Sequence, residues 1–144
     1  MKTICCIICL LFLAQDKNVI RPGELWPDNK GNHIQAHGGG IIKQGNTYYW
    51  YGEQRSRGLD TNYRYVSCYT SNDLVNWKFM GNALQQSDPE QLGRRWVLER
   101  PKVFYNKASR TYVMYFHLDD RTYKFARVGV ATSKKPEGPF TYVK

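Results

Sequence analysis

Sulfur, acid and helical periodicity are what this sequence has little of. Cys5, Cys6 and Cys9 fall in the first nine residues, which leaves Cys68 alone in the rest of a 144-residue chain. A single cysteine excludes a disulfide framework and a cysteine metal cluster from the body of the chain. No apolar run reaches the roughly 20 residues that a membrane-spanning helix needs. The run Ile4–Ala14, preceded by Lys2, instead has the length and flank of a secretory signal core. Acidic residues number 12 against 21 basic ones, a formal net charge of +9. Nucleic acid, acidic polysaccharide and anionic membrane surfaces are therefore all candidate partners, and charge alone selects none of them. Apolar residues at 42% and charged residues at 23% exclude disorder and low complexity.

What is abundant is aromatic: 11 Tyr, 6 Phe and 4 Trp. Tyr and Trp suit β structure, and also sugar or base stacking. The sequence divides into a signal peptide over 1–15, a polar lead-in over 16–33 with a turn at Asp28–Gly31, and an all-β body over 34–144. Strands are expected at Gly40–Lys43, Thr47–Glu53, Tyr65–Ser71 and Trp77–Met80, with Gln44-Gly45-Asn46 as a hairpin turn. The same pattern returns at Lys102–Tyr105, Thr111–His117, Arg127–Thr132 and Phe140–Val143, offset by 62 to 64 residues. A four-stranded antiparallel unit at a fixed period is the signature of a propeller blade. Two units cannot close a ring of at least four blades, so the expectation is a part of a longer propeller.

In an antiparallel meander, the start of the first strand and the end of the second lie at the same end of the blade. That rule gathers His37, Glu53, Gln54, Glu99, Arg100, His117, Asp119 and Asp120 on one rim. Carboxylates among aromatics on a concave rim suit glycoside chemistry, where they act as acid, base or hydroxyl clamp. Plainer readings stand beside this one: Glu53 as a solvated rim charge, Glu99 paired with the adjacent Arg100, and His37 as a packing residue. Gly38-Gly39-Gly40 is followed by neither a Lys-Ser/Thr pair nor a helix start, which argues against a nucleotide loop. His37 and His117 lack metal-ligand spacing, and no cofactor or metal is called for. Trp26, Trp50 and Trp77 read as core. The basic residues are scattered along the chain without an RNA-binding motif, so nucleic acid is not the expected partner. Stable membrane insertion is not expected either.

These residues resemble a known family. Ile34–Ile41, with Tyr48-Tyr49-Trp50-Tyr51-Gly52-Glu53, is similar to the opening of glycoside hydrolase family 43, in its exo-β-1,3-galactanase-like group. Ser71–Trp77, Glu99-Arg100-Pro101-Lys102-Val103 and Pro136–Phe140 resemble its blade endings and second-blade opening. The likeness covers about residues 22–144. It implies a five-bladed β-propeller parent, of which this chain holds about two four-stranded antiparallel blades, and an inverting glycosidase acting on an oligo- or polysaccharide such as β-1,3-galactan. Export makes the expected location secreted or periplasmic. By the same resemblance, Glu53 is a ligand to sugar hydroxyls, and Glu99 orients substrate and tunes the acid's pKa. Tyr123 is an aromatic contact, and His37 joins the substrate-binding set. The family's general acid lies in a later blade. Its usual base, an Asp at the start of the first blade, is replaced here by Gln35-Ala36-His37-Gly38. The expectation is that this chain alone lacks both proton-transfer groups. The alternative functions are a non-catalytic carbohydrate-binding propeller and an unrelated β-sheet interaction module.

Overall fold

A computed structural model describes residues 19–55, 62–85, 92 and 94–144. The signal peptide expected over 1–15 lies outside the described residues. Eight strands form two sheets. The first holds β1 (His37–Gln44), β2 (Thr47–Gln54), β3 (Tyr65–Ser71) and β4 (Lys78–Leu84). The second holds β5 (Val97–Asn106), β6 (Thr111–Asp119), β7 (Arg127–Ser133) and β8 (Thr141–Tyr142). Each is an antiparallel meander in chain order, so the repeat read in the sequence is two copies of one sheet. The β1–β2 hairpin turns through Gly45, whose φ of 59° is the positive value that a type II′ loop needs at its first position.

The strand ends differ from expectation in one instructive way. The inner strands β1 and β5 begin earlier, at His37 and Val97. Each has a register shift, between His37 and Gly40 and between Glu99 and Lys102. These bulges let pairing continue past residues that look like loop, and they place His37 opposite Glu53 and Glu99 opposite His117. At the outer edge, Trp77 falls just before β4 and donates its indole N–H to Leu74 O at 3.1 Å. The turn before it is held by Asp73. Its carboxylate accepts from the side chain of Asn76 (2.8 Å), from the amides of Asn76 (2.8 Å) and Val75 (2.9 Å), and from Ser71 Oγ (2.9 Å).

Alternation along the strands divides the apolar residues between two clusters. The larger lies between the sheets and joins Tyr51, Val66, Cys68 and Leu84 of the first to Val103, Met114, Phe116 and Leu118 of the second. The smaller covers the opposite face of the first sheet. There the lead-in residues Trp26, Ile34 and Ala36 pack on Trp50, Tyr69 and Trp77. All three tryptophans expected to be core are in it. The lead-in turn is present, with Asp28 Oδ1 accepting from the amides of Lys30 and Asn32 at 3.0 and 2.9 Å.

Polar contacts tie the sheets together at both edges. Along the inner strands, Lys102 Nζ donates to Gly38 O (3.1 Å) and Gly39 O (2.7 Å). Tyr51 donates its hydroxyl to Pro136 O at 2.6 Å, and Phe140 N donates to Ala83 O at 2.7 Å. The far face of the second sheet is uncovered: Phe104, Tyr115 and Val128 are 59%, 45% and 66% exposed.

Asp73 supplies a pH prediction. Its hydrogen bonds, led by the Asn76 side chain, hold its carboxyl well below the usual carboxylate range. A carboxyl depressed in the fold stabilises it fully above the unfolded pKa of about 3.9, and that stabilisation fades as pH falls toward the lower native value. Melting temperatures of the wild type and Asp73→Asn should therefore differ most above about pH 5 and converge toward about pH 2. A difference independent of pH would show that the charge is not what holds this turn.

Candidate active site

Where the two sheets meet at one rim, the bulged inner strands and the ends of β2 and β6 bring charged side chains together. Glu53, last but one in β2, is buried, with its side chain only 4% exposed. Arg55 holds it with two parallel bonds, Nε to Oε1 at 3.0 Å and Nη2 to Oε2 at 2.9 Å. Arg64 approaches the same Oε1 at 3.4 Å from just before β3. The carboxylate in turn raises the Arg55 pKa, chiefly through that hydrogen bond. Arg55 Nη2 also lies 3.8 Å from Glu99 Oε1, so one guanidinium bridges two carboxylates from neighbouring sheets.

Glu99 stands in the β5 bulge. Tyr123 donates its hydroxyl to Glu99 Oε1 at 2.8 Å, and that bond raises the phenol pKa above its ordinary value. His117 Nδ1 is 3.4 Å from Glu99 Oε2, while its Nε2 is 3.2 Å from Asp119 Oδ2. The imidazole thus joins the partly open Glu99 to the buried Asp119. Burial pushes the Asp119 carboxyl up, but the amides of Phe125, Ala126 and Asp120, with His117, more than offset it and hold the pKa low. Those amide bonds, at 3.1, 2.8 and 2.8 Å, also fix the 120–126 loop that carries Tyr123. Tyr123 and Ala126 have φ of 55° and 47°, left-handed values that are costly outside glycine and are held here by Asp119 and Asp120.

The sequence-predicted residues sort accordingly. Glu53, Glu99 and Tyr123 converge. His37 sits opposite Glu53 in register, but its Nε2 pairs with Gln35 Oε1 at 3.1 Å rather than with either carboxylate. The plain alternative for Glu99, an ion pair with Arg100, is not what the chain forms. Arg100 takes a φ of 54° in the bulge, which turns it toward Gly38, where a Cβ would meet its Cγ at 3.5 Å. Arg55 and Arg64 were not singled out in the sequence. The signal for Arg55 was its i+2 spacing from Glu53, which puts both on one face if the strand continues. No group of three or more His, Cys, Asp or Glu fit to hold a metal occurs among the described residues. An apolar cavity of about 630 Å³ lies elsewhere, between the lead-in at Trp26 and the loop at Val75, and none of the cluster residues lines it.

The rim thus offers one partly exposed carboxylate held by a phenol and an imidazole, beside a buried one clamped by guanidinium. Both oxygens of Glu53 are engaged by Arg55, so Glu53 is suited to positioning rather than to proton transfer. Residues 36–144 match the sequence profile described as glycosyl hydrolases family 43. No curated protein matches the chain. Among solved structures, an exo-β-1,3-galactanase from Phanerochaete chrysosporium with galactose is 48% identical, with a TM-score of 0.78 over 84% of this chain and 28% of that one. An exo-β-1,3-galactanase from Clostridium thermocellum is 45% identical, with a TM-score of 0.76 over 85% of this chain and 26% of its own. A β-1,3-galactosidase of family 43 with galactodeoxynojirimycin is 42% identical, with a TM-score of 0.76 over 85% of this chain and 36% of the other. The chain spans about a third or less of the length of these structures.

Proposed function

This chain belongs to glycosyl hydrolases family 43, and from that membership we propose that it supplies the first two blades of an exported, five-bladed hydrolase that cleaves β-1,3-galactan with inversion. The observation that carries the reading is the convergence of Glu53 and Glu99 on Arg55 where the two sheets meet. The galactanase and galactosidase names of the similar structures support the choice of sugar. Glu99, with Tyr123 and His117 on separate oxygens, is placed to orient a sugar and shape the field around a proton donor. Glu53, fixed by two guanidinium groups, is placed to accept from a sugar hydroxyl through a remaining lone pair.

Inversion needs an acid on the leaving oxygen and a base on a water, the two carboxyls about 6.5–9.5 Å apart. Both oxygens of Glu53 are held by Arg55, whose guanidinium also faces Glu99, which suits Glu53 to positioning, and this pair is not proposed as that acid and base. Those groups belong to later blades, which would cover Phe104, Tyr115 and Val128. Export rests on the Lys2–Ala14 pattern.

A chimera tests the reading. Residues 22–144 of this chain replace the equivalent segment of the Phanerochaete enzyme, and release of galactose from β-1,3-galactotriose is measured. The 144-residue chain alone should give no turnover above buffer, and the folded chimera should restore it. Turnover by the chain alone would overturn the placement of acid and base. A folded but inactive chimera would count against the enzyme and favour a carbohydrate-binding propeller.

A further inference from the structure

Basic residues that look scattered in the sequence converge in the fold. Arg94, Arg95, Arg121 and Arg127 line one cleft of about 630 Å³, with Trp96 and Phe125 in its wall. The cleft is built by the segment leading into β5 and by the 120–126 loop. It lies on the rim side of the two sheets, not on the uncovered face around Phe104. Aromatic faces orient the guanidinium groups: Arg127 lies 4.4 Å above the Phe125 ring and 5.7 Å from that of Trp96, and Arg94 lies 6.0 Å from that of Tyr63. Among the described residues, none of the four has a carboxylate partner. Asp120 is the one acidic residue lining the cleft, and its Oδ1 already accepts from the Thr122 amide (2.8 Å) and hydroxyl (2.7 Å).

Four guanidinium groups around one concavity repel one another and make a focused positive potential that an anion relieves. Guanidinium is also the group whose planar fork matches a carboxylate or sulfate in two bonds. Trp96 and Phe125 stack with centroids 6.1 Å apart and planes 27° off parallel, which offers an apolar edge to a sugar ring. The loop that forms the cleft is the one whose Tyr123 donates to Glu99. A saccharide bound at the carboxylates therefore has this cleft beside it. A neutral galactan offers no counter-charge to four arginines that lack a carboxylate partner among the described residues.

We propose that the cleft is a subsite for an anionic group, a carboxylate or a sulfate ester, carried by the saccharide that enters the Glu53–Glu99 site. The inference rests on reading that site as a saccharide site and names the class of saccharide it takes: an acidic, substituted galactan.

Calorimetric titration of the full chain with three probes tests it: β-1,3-galactotriose, the same trisaccharide bearing a glucuronic acid, and a sulfated form. At low ionic strength at least one acidic probe should bind about tenfold tighter than the neutral one, and salt should narrow the gap. Which acidic probe gains distinguishes carboxylate from sulfate. Arg94→Gln combined with Arg121→Gln, both at exposed positions, should bring the acidic probe to within about twofold of the neutral one and leave neutral binding unchanged. Circular dichroism checks folding, and Arg121→Gln alone should give an intermediate value. Equal affinity for neutral and acidic probes in the wild type would overturn the subsite while leaving the hydrolase reading intact. Binding of no probe at all would overturn the subsite, whereas the hydrolase reading stands or falls with the chimera. An oligonucleotide of equal charge competing as well as the acidic trisaccharide would reduce the cleft to a general polyanion surface and also overturn the proposal.

Discussion

Glu99→Gln, introduced into the chimeric enzyme, is expected to lower kcat by about 100- to 1,000-fold while leaving the melting temperature within a few degrees of the parent. The substitution keeps the size of the side chain and removes its charge. Tyr123, which donates to Oε1 at 2.8 Å, can still donate to an amide oxygen, so the loop has no cause to move. What is lost is a negative charge beside the reacting sugar. A like charge nearby raises the pKa of a carboxylic acid and keeps it protonated near neutral pH. The optimum for turnover should therefore shift to lower pH together with the fall in kcat. Glu53→Gln should behave differently. That carboxylate is buried with two guanidinium groups on it, and its neutralisation removes two charge-assisted bonds to Arg55, which keeps only Glu99 at 3.8 Å; because both arginines are partly open to water, the loss should be about 1.5–3 kcal/mol. Its variant should raise KM and lower stability together. Near-normal kcat in Glu99→Gln, with an unmoved pH optimum, would remove Glu99 from the site even if both blades stand.

The contrast between these residues shows where the sequence was legible. The eight strands announce themselves by aromatic and β-branched runs, and the order of a meander then fixes which ends share a rim. Glu53 and Glu99 followed from that rule alone. His37 followed as well, yet its ring turns to Gln35, because side-chain direction within a bulge is set by local φ and not by strand order. Arg100 illustrates the same limit: adjacent to Glu99 in sequence, it leaves it through a positive φ. Arg55 and Arg64 sit on either side of the β2–β3 connection, and only the fold shows that both reach one carboxylate. The arginine cleft is the clearest case. Arg94 and Arg95 are more than twenty residues from Arg121 and Arg127, and nothing in their spacing brings them together.

Gly52→Ala should be among the most damaging single-methyl changes at the described glycines. Gly52 lies in β2 opposite Ser67, and the lead-in runs directly over it. A Cβ there would sit 2.1 to 2.3 Å from the backbone C, Cα and O of Ala36. Its own φ is not in the left-handed region, so the backbone would accept alanine; contact alone forbids it. Because the obstructing atoms are main chain, the relief is to lift residues 34–36 off the sheet. That breaks the bond from Gln35 N to the Tyr69 hydroxyl (2.9 Å) and the bond from Ser67 Oγ to Gln35 O. It also uncovers the Trp50–Trp77 cluster that Trp26 and Ile34 close. Overpacking and lost burial together should cost about 3 kcal/mol or more, a large part of an ordinary domain's stability, and lower the melting temperature by roughly 10 °C. Gly45→Ala is the matched control. Gly45 needs its φ of 59° but has no atom within 4 Å of a Cβ, so alanine there should cost only about 1–2 kcal/mol. The two variants therefore separate crowding from backbone strain. His37 continues directly from the lifted segment, so Gly52→Ala should also weaken saccharide binding, and Gly45→Ala should not. A Gly52→Ala chain that melts no lower than Gly45→Ala would mean that the lead-in is not seated on β2, and that His37 is not held opposite Glu53 by it.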